Sequence, residues 1–409
     1  MTETPAVGPV LGGLRVLDLA HQYSGAMSAA FMADLGADVI SVEHPTKLAI
    51  RTMLPRKGDQ SLWWKVVQRG KRHVSININT PRGREMVIEL AKQADLITEN
   101  FRPGTLEKWG LGPADLEAAG VSCVMLRISG FGQTGPYSNR PGFGTVAEAL
   151  SGFASLNGEP DGPPTFPSTT LADGLAAVFG AFGAMAALWS RAKGTAPKGI
   201  EVVDMALVEG MLRIIPTQIA AYDQLGKVPE RPGNRLTSHG ILRDLFKSRD
   251  GRWFVISAVG PVPIRRVLVA SGQQELAERI DNGAMLQSPT EVIAFLDEGT
   301  DGVHAWAAQN DYVEVEKALR EGDVVFQVVY RADDIVADEH FKFRNAIIDV
   351  PDEDLGPIKM QGIVPRFPQR PHAVKRAGAQ RGLDNESVFH DLLGLDDAEI
   401  QKLHDEGVV

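Results

Sequence analysis

The chain has 409 residues, of which 44% are hydrophobic and 23% are charged. This is the composition of an ordinary globular protein with room for two domains. Lys and Arg number 42 against 52 Asp and Glu, a net charge of -10, which argues against nonspecific nucleic-acid binding but leaves room for a local basic pocket. Cys123 is the single cysteine, so a disulfide framework and a thiolate metal cluster are both excluded.

Neither a metal site nor a membrane anchor is indicated. The nine histidines show no spacing that suits zinc. Residues 1–11 lack the charged start and apolar core of a signal peptide. The longest uncharged apolar stretch, 174–190, is rich in Gly and Ala and falls short of a membrane span. We therefore expect a cytoplasmic protein that binds no nucleic acid, membrane or metal.

Strand and helix patterns alternate through the first half of the chain. Residues 14–19 predict a buried strand, 26–35 a helix after the turn at 21–25, and 37–43 a second strand. Two strands joined by a helix within about thirty residues form a βαβ unit, and hence a parallel sheet. The pattern then repeats, with strands at 72–78, 95–99, 121–128 and 199–203, and helices at 81–93, 105–109 and 206–222, the last kinked by Pro216.

The composition changes after this alternation. Residues 226–238 are polar and contain proline, which indicates a domain boundary. A hairpin is predicted over 246–256, around Asp250 and Gly251, and helical segments follow to about residue 320. Residues 351–371 are predicted to be extended, before helices at 387–393 and 396–406.

Asp173 precedes the most apolar small-residue segment of the chain. Length and composition predict a buried helix over 174–189, with Asp173 at or beside its N-cap. The positive end of the helix dipole should keep this carboxylate ionised even when it is partly buried. Such a carboxylate could act as a nucleophile, but capping is the commoner role of an Asp before a helix. The residues alone leave both interpretations open.

Basic residues cluster in loops of the first half, namely Arg69, Lys71, Arg72, Arg102 and Lys108. If these side chains face one crevice, they could hold a diphosphate and a 3'-phosphate. Taken singly, each is more simply a surface charge. The Gly-rich segment 130–135 follows the strand at 121–128, a position where ligands bind in open α/β sheets.

Over its full length the chain resembles the class III CoA-transferase family, which contains formyl-CoA and carnitine CoA-transferases. The similar segments keep their order from end to end: 14–19, 35–40, 70–72, 99–104, 129–132 and 395–409. The family nucleophile is an Asp that follows a small residue and precedes an Ala/Gly-rich helix, and Asp173 matches it. By the same resemblance, the CoA site involves Tyr23, Ser24, Gly25, Lys71, Arg72, Asn100, Phe101, Arg102 and Lys108.

The resemblance also implies an architecture. The fold would be α/β, with a Rossmann-like parallel-sheet large domain built from both chain ends, 1–225 and 331–409. Residues 226–330 would form a smaller central α+β domain. Two chains would interlock as a homodimer, with the active site between domains.

The implied reaction moves CoA between two carboxylic acids through an aspartyl mixed anhydride and an aspartyl-CoA thioester. Acyl-CoA is then a substrate, and no permanent cofactor is expected. The resemblance also suggests succinyl-CoA as the donor and a small dicarboxylate as the acceptor. Formyl or oxalyl transfer is disfavoured, because Tyr23 stands where formyl-CoA transferases carry Gln, and Phe143-Gly144 replaces their Tyr-Glu pair.

Two other functions stay open. A 2-methylacyl-CoA racemase is similar over the same length but carries a His where Phe143 stands, and phenylalanine cannot shuttle a proton. A noncatalytic CoA-binding subunit of a larger complex is the second alternative.

Overall fold

The computed structural model describes residues 8–47 and 49–409. Its strands are β1 (Arg15–Asp18), β2 (Asp38–Glu43), β3 (Arg56–Lys57), β4 (Gln60–Ser61), β5 (Arg72–Ser75), β6 (Leu96–Glu99), β7 (Val124–Ser129), β8 (Glu201–Ala206), β9 (Ile241–Lys247), β10 (Trp253–Val259), β11 (Phe326–Val328), β12 (Ile347–Val350) and β13 (Ile358–Gln361).

The α-helices are α1 (Tyr23–Asp34), α2 (Leu62–Val67), α3 (Pro81–Ala91), α4 (Thr105–Lys108), α5 (Pro113–Ala118), α6 (Gly144–Leu150), α7 (Leu171–Ala192), α8 (Leu207–Arg213), α9 (Gln218–Leu225), α10 (Pro261–Ala270), α11 (Gln274–Asp281), α12 (Pro289–Ala307), α13 (Tyr312–Glu321), α14 (Ala332–Ala337), α15 (Glu339–Phe343), α16 (Asn385–Val388) and α17 (Asp397–Asp405). A π-helical turn at Phe389–Leu393 follows α16.

Six parallel strands form the main sheet, in the order β5-β2-β1-β6-β7-β8. The predicted mixed α/β architecture with a parallel sheet is confirmed. Successive residues of each strand point to opposite faces, so Leu17 and Ile97 enter one hydrophobic core while Val16 and Leu96 enter the other. Helices cover both faces, which explains why the central strands are buried at nearly every position.

Helix α1 begins earlier than the sequence pattern predicts. It starts at Tyr23 rather than at residue 26, so Tyr23, Ser24 and Gly25 form its first turn instead of a preceding loop. A Cβ on Gly25 would lie 2.6 Å from the Cβ of Ala20. Close packing therefore requires glycine here, and it overrides the low helix propensity of that residue.

Helix α7 also begins earlier, at Leu171, with Thr170 at its N-cap. Asp173 lies in the first turn and is not the cap that the sequence pattern predicts. A Cβ on Gly180 would lie 3.2 Å from both Cδ atoms of Leu126, so the helix approaches the sheet closely. By length and composition α7 could cross a membrane, but its Ala and Gly face packs against α1, β7 and β8 as a core helix does.

The chain divides into two compact units. One comprises the described residues up to Phe153, with Pro167–Pro216 and His340–Val409, and it contains the parallel sheet. The other comprises Ala154–Phe166 and Thr217–Glu339. Within it, β9, β10 and β11 form an antiparallel sheet with the predicted turn at Gly251, whose φ is +88°.

The division differs from the sequence-based boundaries at both ends of the central unit, which ends at Glu339 rather than at residue 330. The helix predicted over 206–222 is two helices, α8 and α9, because Pro216 lacks the N–H that a continuous helix needs. The second unit therefore begins at Thr217 rather than near residue 226, and it also takes up 154–166. The segment predicted to be extended over 351–371 contains β13, which pairs with β12.

Candidate active site

The carboxylate of Asp173 lies where the first turn of α7 meets the start of α6. A Cβ on Gly144 would come within 2.2 Å of Oδ2 of Asp173, so only glycine leaves space for the carboxylate there. Glu148, one turn further along α6, is 2% exposed, and its Oε1 accepts the Ala172 N–H at 3.3 Å. The sequence Gly-x-x-x-Glu of α6 thus supplies both the space and a neighbouring charge.

Burial raises the pKa of Asp173 to about 6, and the negative charge of Glu148 adds to the rise. The hydrogen bond from Ser24 and the backbone N–H of Asp173 act in the opposite direction. The helix N-terminus was predicted to keep this carboxylate ionised when partly buried, and burial opposes that effect by raising the pKa. The carboxylate is nonetheless mainly ionised at neutral pH, and it is more basic than an exposed Asp.

Ser24 on α1 contacts the same carboxylate, and Asn100 in the loop after β6 lies next to Ser24. Ser24 is buried and donates a hydrogen bond to Asp173. Asn100 Nδ2 lies 3.5 Å from the Ser24 hydroxyl, and Asn100 Oδ1 accepts the His21 N–H at 3.0 Å. Three residues that the family resemblance assigns to CoA binding, Ser24, Gly25 and Asn100, therefore lie together beside the expected nucleophile.

A buried ion pair holds the loop that carries Asn100 and Phe101. Arg127 on β7 contacts Glu99 at 2.7 Å, and Glu99 also accepts the Phe101 N–H at 2.7 Å. The Phe101 ring packs edge-on against His21 and Trp109, with centroids 4.7 and 5.0 Å away. Phe101 is therefore held rigidly at the carboxyl end of the sheet, where α/β proteins bind ligands.

The predicted role of Lys71 does not fit its position. Lys71 is 1% exposed, and its Nζ donates to Asp18 Oδ2 at 2.8 Å and to the Ala26 carbonyl at 2.7 Å. Burial lowers its pKa, and Asp18 counteracts this. The side chain joins β1 to α1 and does not offer its ammonium group to a ligand, because the buried Asp18 carboxylate requires a cation.

The Arg72 side chain is also occupied by an ion pair. It begins β5 and forms a bidentate ion pair with Asp38, which begins β2, at 2.8 and 2.6 Å. This pair lies at the amino ends of parallel strands, whereas Asn100 follows the carboxyl end of β6. The structure therefore does not bring Arg72 to the Ser24–Asn100 group. Arg102 and Lys108, after β6 and on α4, are exposed.

The Gly-rich loop after β7 is fixed by Asp204. Both carboxylate oxygens of Asp204, on β8, accept the Gln133 N–H, at 3.1 and 3.0 Å. The side-chain Nε2 of Gln133 is buried and makes no hydrogen bond in the described part of the chain. The loop is thus tied to β8 through its backbone.

An apolar cavity of about 500 Å³ adjoins the start of α7. Tyr23 lies on its wall, with its ring 5.2 Å from that of Trp63 and its hydroxyl hydrogen-bonded to the Thr170 side chain. Burial raises the pKa of Tyr23. The cavity is lined by Tyr23, Phe31, Trp63, Val67, Thr169 and Thr170, among others. Its size is within the range of small-molecule sites.

Sequence reasoning missed two residues of this site. Glu148 lies on α6, a helix that the pattern did not predict, and Thr170 was not recognised as the cap of α7. The only available signal for Glu148 was a single charge within the small-residue segment 144–150. In the described residues no group of three His, Cys, Asp or Glu side chains is arranged to hold a metal ion.

Comparison with known proteins settles the family. The model of CoA-transferase family III matches residues 11–385. The chain belongs to this family. It is 38% identical over 402 residues to succinyl-CoA–D-citramalate CoA-transferase of Chloroflexus aurantiacus, covering 98% of each chain. It is 32% identical over 403 residues to the beta subunit of succinyl-CoA–L-malate CoA-transferase of the same organism, again covering 98% of each.

A solved structure from the same family shares the fold of this chain. A CaiB/BaiF family protein from Brucella suis has a TM-score of 0.82 at 27% identity, covering 94% of this chain and all of that chain. The family predicted from the sequence is confirmed. As a family III CoA-transferase, the chain is an enzyme whose substrates include CoA thioesters.

Proposed function

We propose that the enzyme transfers CoA from succinyl-CoA to a small hydroxydicarboxylate of the citramalate and malate type, with Asp173 as the nucleophile. The observation that supports Asp173 as the nucleophile is the position of its carboxylate among Gly144, Ser24 and Glu148. The substrate class is supported by the names of two relatives that match this chain over nearly its full length.

The reaction begins when an oxygen of Asp173 attacks the thioester carbonyl carbon. The C–S bond breaks, CoA leaves as a thiolate with the bonding electron pair, and a mixed anhydride remains. The thiolate then attacks the aspartyl carbonyl carbon, which releases the donor acid as a carboxylate and leaves an aspartyl-CoA thioester. Covalent catalysis divides one difficult exchange into easier steps.

The acceptor acid reverses the sequence. Its carboxylate attacks the aspartyl carbonyl, releases CoA thiolate and forms a second anhydride. The thiolate attacks the acceptor carbonyl of that anhydride, which yields the new acyl-CoA and restores the Asp173 carboxylate. The backbone N–H groups of residues 171–174, at the start of α7, already have acceptors. Backbone N–H groups in the loop 130–135 would therefore stabilise the tetrahedral oxyanions.

The CoA site is proposed at the carboxyl end of β6 and the start of α1. The residues proposed to contact the thioester arm are Ser24, Gly25, Asn100 and Phe101. The first two lie in the first turn of α1, next to Asp173, and the other two lie in the loop after β6 that contacts Ser24. The exposed side chains of Arg102 and Lys108 are the candidates for contact with phosphate.

We also propose a cytoplasmic homodimer, interlocked as the family resemblance implies. Its support in the structure is the outer face of α7, where Val178, Phe182 and Trp189 are 53%, 73% and 64% exposed. Apolar side chains of this size on one helix face are typical of a surface that another chain covers.

The test is a covalent trap. The purified chain, incubated alone with succinyl-CoA and treated with hydroxylamine or borohydride, should carry the modification at Asp173 when mapped by mass spectrometry. Asp173→Ala should abolish transfer and retain CoA binding. A label at any other residue, or turnover by this variant, would disprove the role.

The substrate requires a separate screen. Acyl-CoA donors are paired with carboxylic acids, and the products are read by mass spectrometry. Transfer by this chain alone excludes the noncatalytic subunit. Deuterium uptake at the α-carbon from heavy water, without any acceptor acid, would instead favour the racemase.

A further inference from the structure

Glu148 is a buried carboxylate that the reaction steps above do not use. It is 2% exposed, and its Oε1 accepts the Ala172 N–H at 3.3 Å. Ala172 is the second residue of α7, so its N–H has no acceptor within the helix and needs one from outside it. A neutral amide oxygen could still accept this N–H, so a glutamine at position 148 would remove the charge and keep an acceptor for the helix.

The negative charge of Glu148 acts on Asp173, because its carboxylate accepts the N–H of the preceding residue, Ala172. Both side chains belong to one packed arrangement, since the start of α6 contacts the Asp173 carboxylate through Gly144 and the next turn of α6 supplies Glu148. The other groups that act on Asp173 are Ser24 and Tyr23 on α1, and the backbone N–H of Asp173 itself. Two carboxylates thus share a partly buried environment, in which like charges repel strongly.

We infer that Glu148 is a positioning residue that favours the acylated forms of Asp173 by holding a second negative charge beside its carboxylate. The anhydride and the thioester of Asp173 carry no charge at this side chain. Repulsion from Glu148 therefore destabilises the free carboxylate and is removed when Asp173 is acylated. The inference rests on the proposed nucleophilic role of Asp173, and it adds a reason for the covalent intermediate to accumulate.

The decisive variant is Glu148→Gln, which removes the charge and keeps an oxygen for the Ala172 N–H. The enzyme is incubated with succinyl-CoA at a fixed succinate concentration, and intact-mass analysis gives the ratio of aspartyl-CoA thioester to free enzyme. We expect this ratio to fall several-fold, because the repulsion that acylation of Asp173 relieves is then absent. The acid limb of kcat/KM should move to lower pH, since the charge that helps to raise the pKa of Asp173 is gone.

Glu201→Gln is the matched control. Glu201 begins β8 and also has a buried carboxylate oxygen, but it lies near the opposite end of α7, where the Gly199 carbonyl accepts from Arg191. Both readouts should stay at their wild-type values in this variant. Glu148→Met is a second neutral variant, to be used should the glutamine protein not fold.

The outcomes separate the two proposals. If the wild-type enzyme forms no adduct at Asp173, the proposed function fails. If it forms the adduct, but the neutral variants keep the wild-type thioester ratio and acid limb, Glu148 is only a helix cap and the inference is overturned.

Discussion

Gly144 and Asp173 lie so close together that a Cβ on Gly144 would come within 2.2 Å of Oδ2 of the carboxylate. Gly144→Ala should therefore displace the Asp173 side chain and lower kcat by about 100-fold, the cost of moving a reacting group by about 1 Å. Steady-state kinetics measure the loss. Thr145→Ala, on the exposed side of the same helix, is the control and should retain activity; equal losses in both variants would contradict the steric explanation.

The rate should depend on pH through Asp173. Its pKa is raised to about 6 by burial and by Glu148, and only the ionised form can attack. We expect kcat/KM to be level above pH 7 and to fall about tenfold per pH unit below pH 6. Measurements between pH 4.5 and 8.5 test this, and an acid limb near pH 4 would show that the carboxylate is not shielded from water.

Asp173→Asn should stabilise the protein while inactivating it. A carboxyl whose pKa is raised on folding favours the folded state at low pH, and this contribution is lost as the pH rises through the folded pKa of about 6. Removing the charge should therefore add about 1–3 kcal/mol above pH 7, with a gain that shrinks toward pH 4. Thermal unfolding at several pH values gives the comparison, and a gain that is independent of pH would refute the explanation.

Ser24→Ala removes the hydrogen bond that favours the ionised form of Asp173. The acid limb should move to higher pH, and kcat/KM at pH 7 should fall about 10- to 100-fold, as expected for a hydrogen bond to a charged group. Ser28→Ala is the matched control, because Ser28 is a buried serine one turn further along α1 that donates to the Ser24 and Ala177 carbonyls. It should change stability without moving the acid limb.

Lys71 and Arg102 should respond differently to substitution. Lys71→Met leaves the buried Asp18 carboxylate without its cation, which should cost about 3–5 kcal/mol of folding free energy. Arg102→Ala should leave stability unchanged and raise KM for the acyl-CoA several-fold, because its exposed guanidinium is a proposed phosphate contact. Thermal unfolding and acyl-CoA titration separate the two effects. A stable Lys71→Met protein with weakened CoA binding would restore Lys71 to the CoA site.

The sequence by itself determined the order of elements. Strand and helix patterns predict the parallel sheet, because short apolar runs such as those in β1, β2 and β7 alternate with helical segments. The Asp–Gly turn of the second unit follows from local backbone preferences at Gly251. Asp173 was found because a charge beside a long apolar segment is visible without any structure.

Only the tertiary structure decided what surrounds that charge. A sequence shows that Lys71 and Arg72 are basic, but not that Asp18 and Asp38 neutralise them from other strands. It shows neither that Glu148 approaches α7 nor that burial raises the pKa of Asp173. Desolvation and ion pairing depend on residues far apart in the chain, and only folding brings these groups within reach of one another.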